Sequence, residues 1–307
     1  MESESSYHEP VLVTEVLEYL RPERGGVYFD GTLGGGGHAA AILSSGAAAA
    51  VIGVDQDAEA LEVAGRRLSG FGNRVELVRA NFADAAGSAD APLAGALLDL
   101  GVSSHQIDDP ARGFSFRAGT SLDMRMSSSA TVTAADLLNE LPESELADVF
   151  YRYGEERKSR RLAAAVVRAR AERPLRTSDD LNAILDRFYG PRITVQDRAR
   201  IYQALRIAVN EELEVLARAL EALRARLEAA GVLVVLSYHS LEDRIVKDAF
   251  REWSRDCICP PRLPVCRCRG VSLGKTLTRR PVMASAAEVE RNTRARSARL
   301  RAWRKAA

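Results

Sequence analysis

The sequence has no apolar run that approaches the ~20 residues a membrane-spanning helix needs. Its first residues, Met1-Glu-Ser-Glu, lack the basic start of a secretory signal peptide. We therefore expect a cytoplasmic protein with no membrane partner. With 46% hydrophobic and 28% charged residues the composition is that of a globular chain, and 307 residues predict one large domain plus a smaller one.

The chain also has little net charge, only +1, which by itself gives no sign of a nucleic-acid partner. The charge is unevenly distributed, however, because no acidic residue follows Glu290. The basic residues after that point are Arg291, Arg294, Arg296, Arg299, Arg301, Arg304 and Lys305. Such a segment can neutralise phosphates, or it can be a solvated terminal face, and composition does not separate these alternatives.

A glycine-rich stretch reads Asp30-Gly-Thr-Leu-Gly-Gly-Gly-Gly-His38 and directly follows the apolar run Val27-Tyr-Phe29. Glycines let the backbone turn tightly and let amide groups at a helix start face a small molecule. A flexible linker is the alternative, which the adjacent strand and helix signals disfavour. The pattern Gly34-x-Gly36-x-x-Ala39 also fits a dinucleotide loop, so neighbouring residues must identify the cofactor.

Further apolar runs end in polar or aromatic residues, as the strands of a doubly wound sheet do where ligands bind. A helical pattern, Ala58 to Leu68, separates two of these runs. The runs are Ala49 to Val54 before Asp55, Val75 to Val78 before Asn81-Phe82, and Ala96 to Leu98 before Asp99. This alternation predicts a parallel sheet, with Asp55 at the ribose hydroxyls and Phe82 at an adenine face.

Asp30 helps to decide between two kinds of adenosine-containing cofactor, a dinucleotide and S-adenosyl-L-methionine. A dinucleotide brings a pyrophosphate, whereas S-adenosyl-L-methionine has no phosphate and carries an α-ammonium group that a carboxylate can meet. Asp30, the glycines, Asp55 and Phe82 together therefore favour S-adenosyl-L-methionine.

Helical patterns dominate from about residue 110 to residue 214, and strand character returns only at Gly231 to Leu236. The predicted helices are Ala134 to Phe150, Lys158 to Ala171, Ser178 to Tyr189 and Arg198 to Leu220. We therefore predict an α/β domain formed by residues 1–109 and 215–307, the latter with a basic C-terminal segment. A helical domain for substrate recognition, residues 110–214, is inserted between its fourth and fifth strands.

Eight motifs occur in the order in which one enzyme family has them. They are Asp30 to His38, Leu98-Asp-Leu-Gly-Val-Ser-Ser104, Arg112-Gly-Phe-Ser-Phe116, Leu122-Asp-Met-Arg-Met126, Tyr153-Gly-Glu-Glu-Arg157, Gln203-Ala-Leu-Arg-Ile207, Asn210-Glu-Glu-Leu213 and His239-Ser-Leu-Glu-Asp-Arg-Ile-Val-Lys247. From His8 to Arg301 the chain resembles the ribosomal RNA small subunit methyltransferase H family of bacteria.

The resemblance implies a class I, Rossmann-like methyltransferase fold with an inserted all-helical domain. It implies methyl transfer from S-adenosyl-L-methionine to the N4 amine of a cytidine in the decoding centre of 16S ribosomal RNA, within the small ribosomal subunit, and no DNA partner. The loop and the resemblance together indicate these cofactor-binding residues: Gly35, Gly36, Gly37, His38, Asp55, Phe82, Asp99 and Gln106. Alternatives are methylation of another base atom or of DNA, and a ribosome-assembly factor that binds the cofactor structurally.

Asp99 lies where a transferred methyl group meets its acceptor. The lone pair of the cytosine amine is delocalised into the ring, so an acceptor for the amine protons promotes its attack. Asp99, or the carbonyls of the turn that follows it, can serve as this acceptor. Asp99 is therefore predicted both as a cofactor contact, the favoured role, and as the catalytic residue.

Four residues are predicted to bind substrate. Asp123 and Arg125 either pair with each other or leave Arg125 to bind phosphate. Ser240 is predicted to cap a helix that starts near Leu241, which leaves His239 to contact RNA. Arg244, in the same motif, completes the set.

All four cysteines occur in two pairs, Cys257-Ile-Cys259 and Cys266-Arg-Cys268. Clustered thiolates suit zinc, but the spacing departs from the usual C-x₂₋₄-C of zinc sites. We therefore expect reduced loop cysteines and no metal, with zinc as the alternative.

Overall fold

The computed structural model describes residues 10–88, 91–101, 109–127, 130–260, 265 and 267–307. The chain divides into two units, one formed by Met1–Gly101 and Leu213–Ala307 and the other by Val102–Glu212. Among the residues so described, no helix is both long and apolar enough to cross a membrane.

The first unit is built on one seven-stranded sheet. The strands are β1 (Gly26–Asp30), β2 (Ala49–Asp55), β3 (Val75–Arg79), β4 (Leu93–Asp99), β5 (Leu227–Ser237), β6 (Gly274–Thr276) and β7 (Arg299–Lys305). Their order is β3-β2-β1-β4-β5-β7-β6. The first five strands pair in parallel, and β7 is antiparallel to both β5 and β6. This topology confirms the predicted Rossmann-like fold class.

Helices of the first unit cover the sheet. They are α1 (Val13–Leu20), α2 (Gly37–Ser45), α3 (Ala58–Leu68), α4 (Phe82–Ser88), α10 (Glu212–Arg226, of which Glu212 falls in the second unit), α11 (Ser240–Trp253) and α12 (Ala286–Arg291), with short 3₁₀ helices at Pro22–Arg24, Ser69–Arg74 and Thr293–Ser297. Alternate residues of β5 enter separate apolar cores, Val234 and Leu236 in one and Leu233 and Val235 in the other. The sheet is therefore buried on both faces, as a parallel sheet requires.

The second unit is helical, with one isolated β-bridge between Ser121 and Thr177 among its described residues. Its helices are α5 (Ala134–Glu140), α6 (Glu143–Arg152), α7 (Ser159–Glu172), α8 (Ser178–Tyr189) and α9 (Val195–Asn210), with a 3₁₀ turn at Gly190–Arg192. Thr133, Thr177 and Thr194 start three of these helices through capping boxes. An apolar core that includes Phe150, Leu162 and Leu205 holds the helices together.

Two long helices predicted from sequence are each two helices in the structure. The predicted helix Ala134 to Phe150 is broken at Leu141 and Pro142, because proline cannot continue a helix. The predicted helix Arg198 to Leu220 is interrupted at Glu211, whose φ of 50° is left-handed. Both predictions had the correct element type and missed the break.

The prediction that strand character returns only at Gly231 to Leu236 was wrong, because β6 and β7 follow later in the chain. Residues 299–305 belong to the basic segment identified from the sequence, and in the structure they form the strand β7. Trp303 in that strand is fully buried, and Arg301 is only 6% exposed. Arg301 instead donates to Asp243 through Nε (2.6 Å to Oδ1) and Nη2 (3.1 Å to Oδ2). This part of the basic segment is therefore structural, because its residues form a paired strand of the sheet.

Candidate active site

Three carboxylates end neighbouring strands of the sheet. Asp30 ends β1, Asp55 ends β2 and Asp99 ends β4, and β1 pairs with both of the others. Since parallel strands end at the same edge of a sheet, these acids share the carboxyl edge, where α/β folds bind their ligands. Tyr238 directly follows the next strand, β5.

Asp30 has one carboxylate oxygen engaged and one not. Its Oδ1 accepts from the amide of Thr32 (3.2 Å), while Oδ2 is buried without a hydrogen-bond partner among the residues that the structure describes. Burial raises the pKa of Asp30 to about 6, although nearby His38 favours the ionised form. A buried, unpartnered oxygen is costly, so Asp30 is suited to a cationic or hydrogen-bonding ligand.

The glycine loop joins β1 to α2 and is held by Asp55. The amide of Gly34 donates to Asp55 Oδ2 (2.8 Å), and a Cβ at Gly34 would meet nothing within 4 Å. Gly36 has a φ of 75°, and a Cβ there would lie 3.2 Å from Leu68. Gly36 thus serves packing inside the protein, and Gly34 is the glycine that borders open space.

The other predicted loop residues have more ordinary surroundings. Gly35 is buried, and a Cβ at Gly37 would lie 3.0 Å from Pro10.

Asp55 uses its second oxygen to accept from the amide of Asp57 (2.9 Å). Burial raises the pKa of Asp55, and the amides of Asp57 and Gly34 oppose that rise. A carboxylate has further lone pairs, so these bonds leave Asp55 able to accept from a ligand.

Asp99 lies between His38 and Tyr238. Its Oδ1 accepts from the Tyr238 hydroxyl (2.7 Å), and its Oδ2 lies 3.7 Å from His38 Nδ1. Burial and the Asp99 carboxylate raise the pKa of Tyr238 well above its usual value, so the hydroxyl stays protonated and donates. His38 Nε2 lies 2.9 Å from the carbonyl of Val11, which can only accept, so Nε2 carries a proton and Nδ1 faces Asp99.

Glu242 holds Tyr238 in place. The amides of Tyr238 (2.9 Å) and His239 (3.2 Å) both donate to Glu242 Oε2. The amide of Glu242 in turn donates to His239 Nδ1 (3.4 Å), so His239 and Glu242 form the capping box of α11. The prediction that Ser240 caps this helix was therefore wrong, because the cap lies one residue earlier. The His239 side chain is only 9% exposed and its Nε2 lies 3.0 Å from Glu242 Oε1.

Two predicted cofactor residues remain, Phe82 and Gln106. Phe82 is partly buried and is the first residue of α4, while Asn81 Oδ1 accepts from the amide of Ala83 (2.9 Å) and so caps that helix. Gln106 lies outside the described residues.

In the second unit, Asp123 and Arg125 form a two-pronged ion pair. Arg125 donates from Nε to Oδ1 (2.8 Å) and from Nη2 to Oδ2 (2.7 Å), and its Nη1 donates to the carbonyl of Ala130 (2.7 Å). Burial disfavours ionisation of Asp123, but the hydrogen bonds from Arg125 outweigh it and lower the pKa. The sequence left open whether Arg125 pairs with Asp123 or binds phosphate, and in the structure it pairs with Asp123. Arg244, in the first unit, is exposed on α11.

Sequence reasoning overlooked Tyr238 and Glu242 as parts of the site. Tyr238 carried a usable signal, since it immediately follows an apolar strand that neighbours the strand of Asp99. Glu242 carried no such signal. It is the capping partner because the cap is His239, three residues before it, whereas a cap at Ser240 would make Asp243 the partner.

The strand order with antiparallel β7, the glycine loop and the acids at successive strand ends define a methyltransferase of the class I fold. The chain belongs to the MraW methylase family, whose sequence profile matches residues 5–306.

Close relatives span the whole chain. The ribosomal RNA small subunit methyltransferase H of Gemmatimonas aurantiaca is 51% identical over 306 residues, which cover 98% of this chain and 96% of that protein. The protein of the same name from Heliobacterium modesticaldum is 48% identical, covering 97% of this chain and 98% of that one. Among solved structures, an rRNA methylase from Streptococcus thermophilus matches at 10% identity with a TM-score of 0.44, covering 98% and 99% of the two chains.

Proposed function

We propose that this methyltransferase transfers a methyl group from S-adenosyl-L-methionine to the N4 amine of one cytidine in the decoding centre of 16S ribosomal RNA. Relatives that carry the name ribosomal RNA small subunit methyltransferase H support the class of substrate. The observation that carries the proposal is the row of three strand-end acids, of which Asp30 has an unpartnered buried oxygen among the described residues.

These acids fit S-adenosyl-L-methionine, which supplies a sulfonium methyl group and carries two positive charges. Asp30 Oδ2 accepts from its ammonium group, and Asp55 accepts from the ribose hydroxyls. Gly34 leaves the open space that a backbone close to a ligand needs. Gly35, Gly36, Gly37, His38 and Phe82 complete the proposed binding surface, together with Gln106.

Asp99 is the group proposed to meet the amine. By accepting a hydrogen bond from an amine proton, its carboxylate helps localise the nitrogen lone pair for attack. Tyr238 orients Asp99 through their 2.7 Å hydrogen bond, and Glu242 orients Tyr238. His38 Nδ1, 3.7 Å from Asp99 Oδ2, is placed to receive the proton that Asp99 takes from the amine. Asp99 is thus the catalytic residue of the proposal, and Tyr238 is a positioning residue.

RNA recognition is assigned to the helical unit and to the edge of α11. The exposed residues Arg157, Lys158, Arg160 and Arg161 place four positive side chains within five positions. Phosphate contacts of this kind position RNA without reading its sequence. Arg244 on α11 and His239, the cap residue before that helix, are the other candidate contacts. The Asp123–Arg125 pair is proposed to shape the substrate surface in the helical unit. The expected partner is the small ribosomal subunit.

The cofactor part of the proposal predicts pH-dependent binding. Below its pKa of about 6, Asp30 is neutral and must lose a proton before it can pair with an ammonium group. The affinity for S-adenosylhomocysteine, which retains that ammonium, should therefore rise about tenfold per pH unit below about pH 6 and level off above it. Calorimetric titration across this range is the measurement.

The matched variants are Asp30→Asn, which should bind weakly and lose this pH dependence, and Asp84→Asn, whose acid is exposed on α4. Asp84→Asn should keep the wild-type profile. A wild-type profile in Asp30→Asn would contradict the role of Asp30.

The substrate part is tested by mapping methyl groups on 16S ribosomal RNA from cells that lack the gene. We expect one cytosine to lose one methyl group, and wild-type protein to restore it. Asp99→Asn should restore at most about one hundredth of the wild-type initial rate on small subunits, because general-base groups contribute roughly 10²–10⁴-fold. An unchanged methylation map in the deletion strain would rule out the proposed substrate. A raised KM with unchanged kcat in Asp99→Asn would assign Asp99 to binding alone.

A further inference from the structure

The segment that joins α11 to β6 brings three cysteines together. The sulfur atoms of Cys257, Cys259 and Cys268 all lie within 4.8 Å of one another. The Sγ atoms of Cys257 and Cys268 are 3.8 Å apart, far beyond the roughly 2.05 Å of a disulfide bond. These three residues, here termed the cysteine cluster, are outside the proposed methyl-transfer site and are not used by it.

The 3.8 Å between the sulfurs of Cys257 and Cys268 is the separation of two ligands around one metal ion, and the third sulfur lies within 4.8 Å of both. Two thiolates bound to zinc at about 2.3 Å in tetrahedral geometry are separated by about 3.8 Å. The C-x-C spacing in the sequence does not indicate zinc, since structural zinc sites use C-x₂₋₄-C. The fold nevertheless brings ligands together, because Cys268 lies beside Cys257 although it is 11 residues further along the chain.

Backbone amides point at two of the sulfurs. The amide of Ile258 donates to Cys268 Sγ (3.4 Å), and the amide of Arg267 donates to Cys259 Sγ (3.4 Å). Each bond crosses between the two halves of the segment. Amide donors stabilise negative charge on sulfur, and the thiolate is the form of cysteine that binds metals.

The ends of the segment are anchored independently of the cysteines. The amide of Leu273 donates to the carbonyl of Trp253 (2.8 Å), and the amide of Ser272 donates to Asp256 Oδ1 (3.2 Å). Arg269 Nη2 donates to the carbonyl of Glu252 (2.6 Å), in the last turn of α11. Because both ends are held in this way, the three sulfurs face one another before any ion arrives, which reduces the entropy cost of binding.

We propose that Cys257, Cys259 and Cys268 bind one Zn²⁺ ion as thiolates and that the ion cross-links the two halves of this segment. On binding, each thiol gives its proton to solvent and forms one sulfur–zinc bond, and neither sulfur nor zinc changes oxidation state. Zinc suits the cluster because soft thiolates prefer it over magnesium or calcium, which take oxygen ligands. Cys266 lies outside the described residues and is not part of the proposed set.

The test uses full-length protein, reduced and stripped of metal, titrated with Zn²⁺ in competition with a chromogenic chelator. We expect one zinc per chain. Cys257→Ser, Cys259→Ser and Cys268→Ser should each weaken zinc binding by more than the roughly 10–100-fold that follows when only an outer partner of a ligand is changed. The matched control is Val271→Ser, because Val271 is 61% exposed in the same segment and its side chain is not a metal ligand.

Co²⁺ in place of Zn²⁺ gives a second readout that does not depend on methyltransferase activity. Thiolate-to-cobalt absorption should appear in wild type and in Val271→Ser and should be lost in the cysteine variants. Circular dichroism in the far ultraviolet then shows whether each variant is folded. The proposal is overturned if reduced wild-type protein binds no zinc, or if folded cysteine variants bind it as tightly as wild type does. It is equally overturned if Val271→Ser loses zinc to the same extent.

Discussion

Two arginine-rich segments of this chain, residues 157–161 and residues 291–305, are alike in composition and different in structure. Arg157, Lys158, Arg160 and Arg161 are all exposed around the start of α7. In the C-terminal segment, residues 299–305 instead form a strand in the sheet, with Arg301 buried against Asp243. Basic composition therefore does not show whether a segment is exposed, and the residues between the charges do.

The residues between the C-terminal charges are those of a buried strand. Leu300, Ala302 and Trp303 are fully buried, and β7 lies between β5 and β6. The indole Nε1 of Trp303 donates to Ser254 Oγ (3.1 Å), which satisfies its one polar atom. Lys305 Nζ donates to the carbonyl of Ala225 (3.2 Å), so the strand uses this charge within the fold.

The residues between the charges of segment 157–161 are different. Ser159 is buried, and the next apolar residues, Leu162 and Ala163, enter the core of the helical unit. Helical periodicity then turns Arg160 and Arg161 away from that core. Because the core is filled from one face, the opposite face of α7 is available to a polyanion.

The largest effect that the comparison predicts is on stability. Arg301→Ala leaves Asp243, whose side chain is 14% exposed, with Arg299 at 3.8 Å as its remaining ion-pair partner among the described residues. Breaking a buried pair costs roughly 3–5 kcal/mol, and the nearby Arg299 reduces that loss, so we expect about 2 kcal/mol. Urea unfolding followed by circular dichroism measures it.

The control for this prediction replaces both partners. Arg301→Met combined with Asp243→Leu removes both charges and keeps comparable volume, so most of the lost stability should return. If Arg301→Ala is as stable as wild type, the C-terminal segment is a solvated face after all and the comparison fails.

The same residues illustrate what the sequence predicts and what it does not. The strands β1 to β4 and the helix α3 were predicted because apolar runs and helical spacing are local signals, and Asp30, Asp55 and Asp99 follow from strand ends. The strand β7 was missed because its charges obscure the apolar residues and its pairing partner β5 is far earlier in the chain. The Tyr238–Asp99 hydrogen bond joins residues 139 positions apart, and only the assembled sheet brings them together.

The second prediction concerns RNA binding by segment 157–161. Changing Arg157, Lys158, Arg160 and Arg161 to glutamine removes four exposed charges while keeping residues that favour helices. If these side chains bind phosphates, the slope of log affinity against log salt concentration should become shallower by roughly 0.7 for each phosphate that is no longer neutralised. Binding to small-subunit RNA measured across a salt series gives this slope.

A folded variant is essential to this prediction, so its urea midpoint should match that of wild type. An unchanged salt slope in the folded variant would show that the exposed charge on α7 has no part in RNA binding. The RNA-binding surface would then have to be sought elsewhere, with Arg244 on α11 as the next position to change.

The smallest expected effect comes from Arg304→Ala. Arg304 is on the same strand as Arg301, three positions later, but its side chain is exposed. Substitution at such a surface position usually changes the free energy of unfolding by less than about 0.5 kcal/mol. We therefore expect Arg304→Ala to unfold at nearly the same urea concentration as wild type, in contrast to Arg301→Ala. A loss equal to that of Arg301→Ala would mean that any alanine weakens this strand, and that the Asp243 ion pair is not the reason Arg301 matters.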